Sequence, residues 1–329
     1  MVALKNREQR EQHVVKHNSI VQKTRHRLTM VEQKAVAYIV SLIKPGSTLM
    51  EYSFQLADFC DTAGLGVAGK NYTKVRDALK KLRDRSIWAE QEDGSITTLA
   101  WLSWVTMHPR TGKVTVHLDP RIAPYVLDLA AHTTRYELLS ILPMKSQYSV
   151  RLYELCKSWS NRNCVEYDII DLRKMLMLDD GTMARYQDFR RYVLDVAMDE
   201  IRRYTDLDVE YEPIRDGRAY AKIRFDIRRK SQTEKIRAMH VATADLDEPR
   251  TADLDVDRMA KIQAAWLREL AGKKTKWRER LSKPELAYVA ELENQLEQGT
   301  ALGHLCAAAA VTGKIKEHEL ALANAALQG

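Results

Sequence analysis

Twice along this chain the spacing of apolar residues changes from a helical repeat to strict alternation, each time after a run of helical segments. A period near 3.6 and a period of two cannot share one element, so each change marks helices followed by a strand ribbon. Before the first change, Thr29 and Glu32 form a capping box, and Val31, Ala35, Tyr38, Ile39 and Leu42 recur at helical spacing. A helical segment at 55–62 and a glycine-rich turn at 64–69 follow. Asn71 is then expected to cap a helix whose buried stripe is Tyr72, Val75, Leu79 and Leu82. From 87 to 118 the period is two, with turn signals at Asp93-Gly94 and at 110–113. Val114, Val116 and Leu118 alternate there with Thr115, His117 and Asp119.

The order recurs. SQYSVRLYELCKSW reads as a helix, Asp168 caps a second through Ile169, Leu172 and Leu176, and Asp179-Asp180-Gly181 makes a turn. Phe189, Val193, Val196, Ala197, Ile201 and Tyr204 then line one face of a third helix. Val209 and Tyr211 are expected to pair, across Arg215-Asp216-Gly217, with a strand in which Ala219, Ala221, Ile223, Phe225 and Ile227 alternate with Lys222, Arg224, Asp226 and Arg228. Helices followed by a hairpin are the order of a winged helix. The expected fold class is therefore α+β, mainly helical, with tandem winged-helix domains and a helical carboxyl-terminal extension. The expected divisions are a charged arm at 1–24, winged helices at 25–130 and 131–230, and an extension at 231–329. In that extension a polar stretch through Asp257 reads as a linker, followed by amphipathic helices without a clear core of their own.

Charge distribution narrows the function. Residues 1–230 hold 38 basic against 30 acidic side chains, whereas 231–329 hold 14 against 15, so the excess lies on the paired modules. A basic surface of this kind calls for a polyanion. Residues 70–85 concentrate it, with Lys70, Lys74, Arg76, Lys80, Lys81, Arg83 and Arg85 against Asp77 and Asp84. The apolar stripe of that helix points Lys74 and Lys81 away from the core and puts Arg76, Lys80 and Arg83 on a flank, an arrangement that can lie along phosphates. The third helix of the second module carries Arg185, Tyr186, Gln187, Arg190 and Arg191 in its early turns. Arginine can pair with guanine O6 and N7 and glutamine with adenine, and the leading turns of a recognition helix are the part that enters a major groove. The bland alternative is local salt bridging, for instance Arg191 with Asp195 one turn on. Arg218 and Lys222 add positive charge to the second hairpin.

Several chemistries are not expected. Gly64 to Lys70 has the spacing of a phosphate-cradling loop, but Asn71 stands where a hydroxyl must hold Mg²⁺, and a helical segment precedes it in place of a strand. His13 and His17 lie in a charged arm with no ligands to complete a metal site. Cys60, Cys156, Cys164 and Cys306 form no CxxC pair and read as reduced. No apolar run is long enough to span a bilayer, and the first residues lack a signal-peptide core. The expectation is a cytoplasmic binding protein that is not an enzyme, with no cofactor, no metal and no membrane partner.

Three stretches resemble the iteron-binding plasmid replication initiators: EQHVVKHNSIVQKTRHRLTMVEQKAVAYIVSLI, SQYSVRLYELCKSW and RYQDFRRYVLDVAMDEIRRYTDLDVEYEPIRDGRAYAKIRF. The likeness covers about 13–228, and residues 231–329 fall outside it. It implies a tandem pair of winged helices in which the helix of Arg185, Arg190 and Arg191 reads repeated origin DNA. The first module would add contacts along the duplex and form a dimer interface. It further implies double-stranded DNA as partner, a homodimer in equilibrium with monomer, contacts with the host replication initiator and replicative helicase, and repression of the protein's own promoter. A winged-helix transcriptional regulator without initiator activity is the nearest rival. A nicking enzyme for rolling-circle replication is a further one, disfavoured by the lack of a metal-holding histidine pair.

Overall fold

The structure is a computed structural model that describes residues 8–65, 69–90, 95–127, 129–178, 181–217, 219–247, 256–272, 276–297, 302, 306 and 313–328. The chain divides into two compact units, Met1–Asp247 and Glu248–Gly329.

In the first unit the strands and helices alternate as the two changes of period require. β1 (His13–His17), α1 (Asn18–Gln22) and β2 (Thr24–Arg25) precede α2 (Met30–Ser41), whose capping box closes with the Glu32 amide donating to the Thr29 hydroxyl and the Thr29 amide to the Glu32 carboxylate. β3 (Glu51–Gln55), α3 (Leu56–Thr62) and α4 (Gly69–Asp84) follow, then β4 (Ser86–Glu90), β5 (Ile96–Ala100), β6 (Leu102–Met107), β7 (Lys113–Leu118) and β8 (Thr133–Glu137). The sheets are small and antiparallel, ordered β2-β4-β5 and β3-β7-β6, with β1 paired to β8.

The second module holds α5 (Gln147–Ser158), β9 (Cys164–Asp168) and α6 (Ile169–Met175), which starts at Asp168, whose carboxylate accepts from the Ile170 amide. α7 then runs through three consecutive pieces: Tyr186–Phe189, a π-helical turn Arg190–Leu194, and Asp195–Tyr204. β10 (Leu207–Asp216) and β11 (Ala219–Arg229) form the hairpin, and β9 joins it in the order β10-β11-β9. Gly217 takes φ 61° at the turn, a conformation that costs a residue with a Cβ about 1–2 kcal/mol. On β11, Ile223, Phe225 and Ile227 are buried and Lys222, Arg224, Asp226 and Arg228 exposed, as the alternation predicts, whereas near the turn Ala219 is exposed and Ala221 half-buried.

Several expectations change. The arm at 1–24 contains β1, whose Val14 is fully buried, because its partner β8 lies over a hundred residues away and supplies the hydrogen bonds that local sequence cannot. That pairing also takes β8, beyond the expected division at 130/131, back to the first strand. The second helix begins at Gly69, so Asn71 stands inside it and not at its cap. The stretch read as a linker forms α8 (Gln232–Asp247), which buries Ala238, Ala242 and Leu246. α8 bridges both modules: Lys235 meets Glu137 at 2.6 Å, Tyr204 donates to Asp245 at 2.7 Å, and Arg10 reaches Asp247 at 2.8 Å and the Thr62 carbonyl at 3.0 Å. Beneath the surface α5 is tied to the first strands, where Lys16 of β1 meets Glu154 of α5 at 2.6 Å and Arg151 donates to the Thr24 carbonyl at 2.6 Å.

The second unit contains α9 (Val256–Leu270), α10 (Lys283–Glu297) and α11 (Glu317–Gln328). It has a core of its own around Trp266, Leu267, Val289 and Leu292, contrary to the expectation of an appendage without one.

Candidate nucleic-acid interface

α4 buries Val75, Ala78, Leu79 and Leu82, and the same 3.6 spacing turns Lys74, Arg76, Lys80, Lys81 and Arg83 outward. Lys74, Lys80 and Lys81 make no ion pair among the described residues. Arg76 lies 3.6 Å from Asp77, its neighbour. Arg83 is turned back toward the sheet, its Nε donating to the Ser103 carbonyl at 3.3 Å and its Nη1 facing Asp84 at 3.1 Å. Lys70 is on the helix, but its side chain lies outside the described residues, as does that of Tyr72. The loop with phosphate-cradle spacing follows a helix, α3, and residues 66–68 lie outside the described residues.

The leading end of α7 is fixed from three sides. Below it, Arg173 of α6 donates to the carbonyls of Met183 at 3.0 Å and Thr182 at 2.6 Å, and its guanidinium lies over the Phe189 ring at 5.2 Å. Phe189 itself is fully buried, the first anchor of the helix. On the wing side, Tyr186 stacks on Tyr220 of β11 with ring centroids 4.0 Å apart. The Arg215 guanidinium covers Tyr220 at 4.6 Å and donates to its hydroxyl at 2.7 Å. The third contact comes from β10, where the Tyr211 hydroxyl donates to Asp195 at 2.5 Å. Burial, and then that carboxylate, raise Tyr211 above the ordinary phenol range, which keeps its proton in place as donor.

On this frame Arg185, Gln187, Arg190 and Arg191 are all exposed. Arg185 is the residue before the first turn, with no capping bond from its side chain, and so leads the helix from outside it. The expected partner of Asp195 was Arg191; the structure gives it Arg190 at 3.5 Å. The π turn explains the exchange, because its i→i+5 hydrogen bond, from the Asp195 amide to the Arg190 carbonyl, sets those residues one above the other. Arg191 lies beside its neighbour Tyr192 at 5.4 Å, and Tyr192 is 51% exposed. The wider turn also rotates the helix face, so Val196, expected in the core, is 37% exposed while Leu194 and Met198 are buried. Of the wing residues, Lys222 is exposed on β11, and Arg218 lies outside the described residues.

The candidate interface therefore comprises Arg185, Gln187, Arg190 and Arg191 beside a wing carrying Arg215 and Lys222, with α4 as a separate basic face in the first module. Sequence reasoning passed over Arg215, Tyr220 and Arg173. The available signal was Tyr220 itself, an aromatic ring at an outward position of the alternating strand, with the parity of Lys222. Among the described residues no group of three or more His, Cys, Asp or Glu side chains gathers as metal ligands would, and no helix is long and apolar enough to cross a membrane. Cys60, Cys156 and Cys306 are buried and Cys164 is exposed, all as free thiols.

Comparison with known proteins shows the fold and the family. The chain is similar to the Pi initiator protein, solved in complex with iteron DNA, at 20% identity and a TM-score of 0.57, over 68% of this chain and 99% of that one. A looser likeness, with a TM-score of 0.35 and 12% identity, links it to domains 2 and 3 of RctB, over 62% of this chain and 81% of that one. The family model described as Initiator Replication protein, WH1, matches residues 13–157, and the one described as Initiator Rep protein, WH2, matches 168–227. With both winged-helix domains present and in order, the chain belongs to the initiator replication protein family.

Proposed function

We propose that this protein starts plasmid replication by binding direct repeats, the iterons, in the plasmid origin. The observation that carries the reading is the constrained leading end of α7. Arg173, Tyr220 and Tyr211 hold it from beneath, while Arg185, Gln187, Arg190 and Arg191 stand in solvent. Preorganised arginine and glutamine at a helix start suit base edges in a major groove. The wing, with Arg215, Lys222 and Arg218, would follow the adjacent backbone, and Lys74, Lys80 and Lys81 of α4 would neutralise phosphates at a second point. The bound protein would then promote local opening and helicase loading, engaging the host initiator and the replicative helicase, and a dimer in equilibrium with the monomer would repress its own promoter. The protein acts by binding, with no catalytic centre, cofactor or metal, in the cytoplasm.

Supply in trans tests this. The protein should sustain a plasmid that carries only its origin. A protein that binds the repeats yet fails to maintain that plasmid would be a regulator and not an initiator.

A further inference from the structure

At the far end of α7 from the reading residues, a cleft of about 370 Å³ opens between the last turn of that helix, the roots of β10 and β11, and α8. Its volume falls in the range of ligand clefts, about 300–1,000 Å³. Five cations line it: Arg202, Arg203, Arg228, Lys230 and Arg237. Asp208 and Glu234 hold Arg228 at 2.7 and 3.0 Å, Asp208 also holds Arg202 at 3.0 Å, and Arg203 turns to Asp245 at 2.9 Å. Two cations form no salt bridge among the described residues. Lys230 donates to the backbone carbonyls of Arg202 and Thr205, and Arg237 is exposed with neither a hydrogen bond nor an ion pair to any described residue.

Apolar surface lies beside this charge. Val241, one helical turn beyond Arg237, lines the cleft and is exposed, and so is the neighbouring Ile236. Duplex DNA would neutralise the cations but offers little to cover Val241 and Ile236, whereas a peptide can bring carboxylates and apolar side chains together. Distance also separates the cleft from the reading end, since thirteen helical steps from Arg190 to Arg203 span about 20 Å, more than the ~12 Å width of a major groove.

We propose that this cleft docks an acidic peptide segment bearing apolar side chains, carried by a protein partner, while the other end of α7 holds DNA. The separation from DNA rests on the reading of residues 185–191 as the DNA-facing end. The docking chemistry stands apart from that reading.

The full chain is titrated, at about 150 mM salt so that distant charges are screened, into a fluorescein-labelled dodecapeptide alternating Asp or Glu with Leu, and anisotropy is read. Binding should weaken by at least about tenfold in Arg237→Glu and in Val241→Asp. It should stay within about twofold in the double variant Lys80→Glu, Lys81→Glu, and saturating repeat duplex should not displace the peptide. Arg237→Ala, a milder change at an exposed position, replaces the reversal if that variant unfolds. The proposal is overturned by no binding to the wild type, by equal loss in the cleft and α4 variants, or by equal affinity for an all-aspartate dodecapeptide. It is also overturned if duplex DNA displaces the peptide and Arg237→Glu weakens DNA binding, which would make the cleft a DNA contact. If instead the protein shows no preference for repeat DNA while Arg237-dependent peptide binding persists, the DNA reading fails and the cleft proposal stands.

Discussion

Arg190 and Arg191 are neighbours in sequence with different surroundings, and a fixed arginine loses less freedom on binding than a free one. Arg190 is held by Asp195, whereas Arg191 lies beside the Tyr192 ring and makes no ion pair among the described residues. Replacing either with alanine is expected to cost about 1–3 kcal/mol on cognate repeats and to relax base preference. Lys74→Ala and Lys81→Ala should weaken binding on all sequences and flatten the salt slope by about one unit each. Competition titrations across a salt series separate the two classes, and an unchanged slope would remove α4 from the interface. A half-buried residue whose ring Nδ1 is enclosed gives a pH prediction. Burial first, and then the charges of Arg151 and Lys16, lower His26 well below its ordinary 6.5, so it stays neutral in the folded chain. The unfolded chain takes up that proton as pH falls through about 6.5, so this site subtracts stability progressively below that pH. His26→Phe, which removes a buried Nδ1 with no partner, should flatten the loss of melting temperature between about pH 7 and 5. A parallel decline in wild type and variant would exclude His26 as the cause.

At the scale of elements, α7 and the wing act as one piece because aromatic stacking joins them. Tyr220→Leu removes the face that Tyr186 and Arg215 both use, so affinity for repeats should fall by about 1–2 kcal/mol, the worth of a stacked pair with its hydrogen bond. Tyr220→Phe keeps the stack and should retain most of the affinity. If both variants bind as the wild type does, the wing is not positioned by this contact. This coupling also marks what was legible. The capping box at Thr29, the buried Val75, Leu79 and Leu82 of α4 and the alternation of β11 follow from local spacing, and the sequence places them correctly; α2 instead buries most of its circumference, Val36 and Val40 included, which a single stripe does not predict. The π turn at 190–194 leaves no such mark, so Val196 was assigned to the core and Arg191 to Asp195. β1 and β9 escaped for a related reason: short strands owe their existence to partners far along the chain, β8 and β11.

At the scale of the whole molecule, α8 ties the two winged helices through Asp247 to Arg10, Asp245 to Tyr204 and Lys235 to Glu137. Its buried residues are mostly alanines, too small to stand out against a polar segment, which is why it read as a linker. Close approach is visible at Gly64, with φ 63°, where an added Cβ would lie 2.8 Å from the Leu246 side chain. Truncation after Asp247 should leave the first unit folded, whereas truncation after Lys230 should lower its melting temperature by several degrees or more, as losses of a few kcal/mol do. Equal melting of the two would show that α8 adds nothing to the first unit. The domain order and the charge of the first 230 residues were readable, and the bridge between modules was not, because it depends on contacts between distant segments. The central claim is that the leading end of α7 reads DNA sequence, and competition binding at about 150 mM salt tests it. The wild type should prefer its plasmid's origin repeat over random duplex by about a thousandfold or more, and the Arg190→Ala, Arg191→Ala double variant should lose most of that preference. Equal preference in variant and wild type would contradict it.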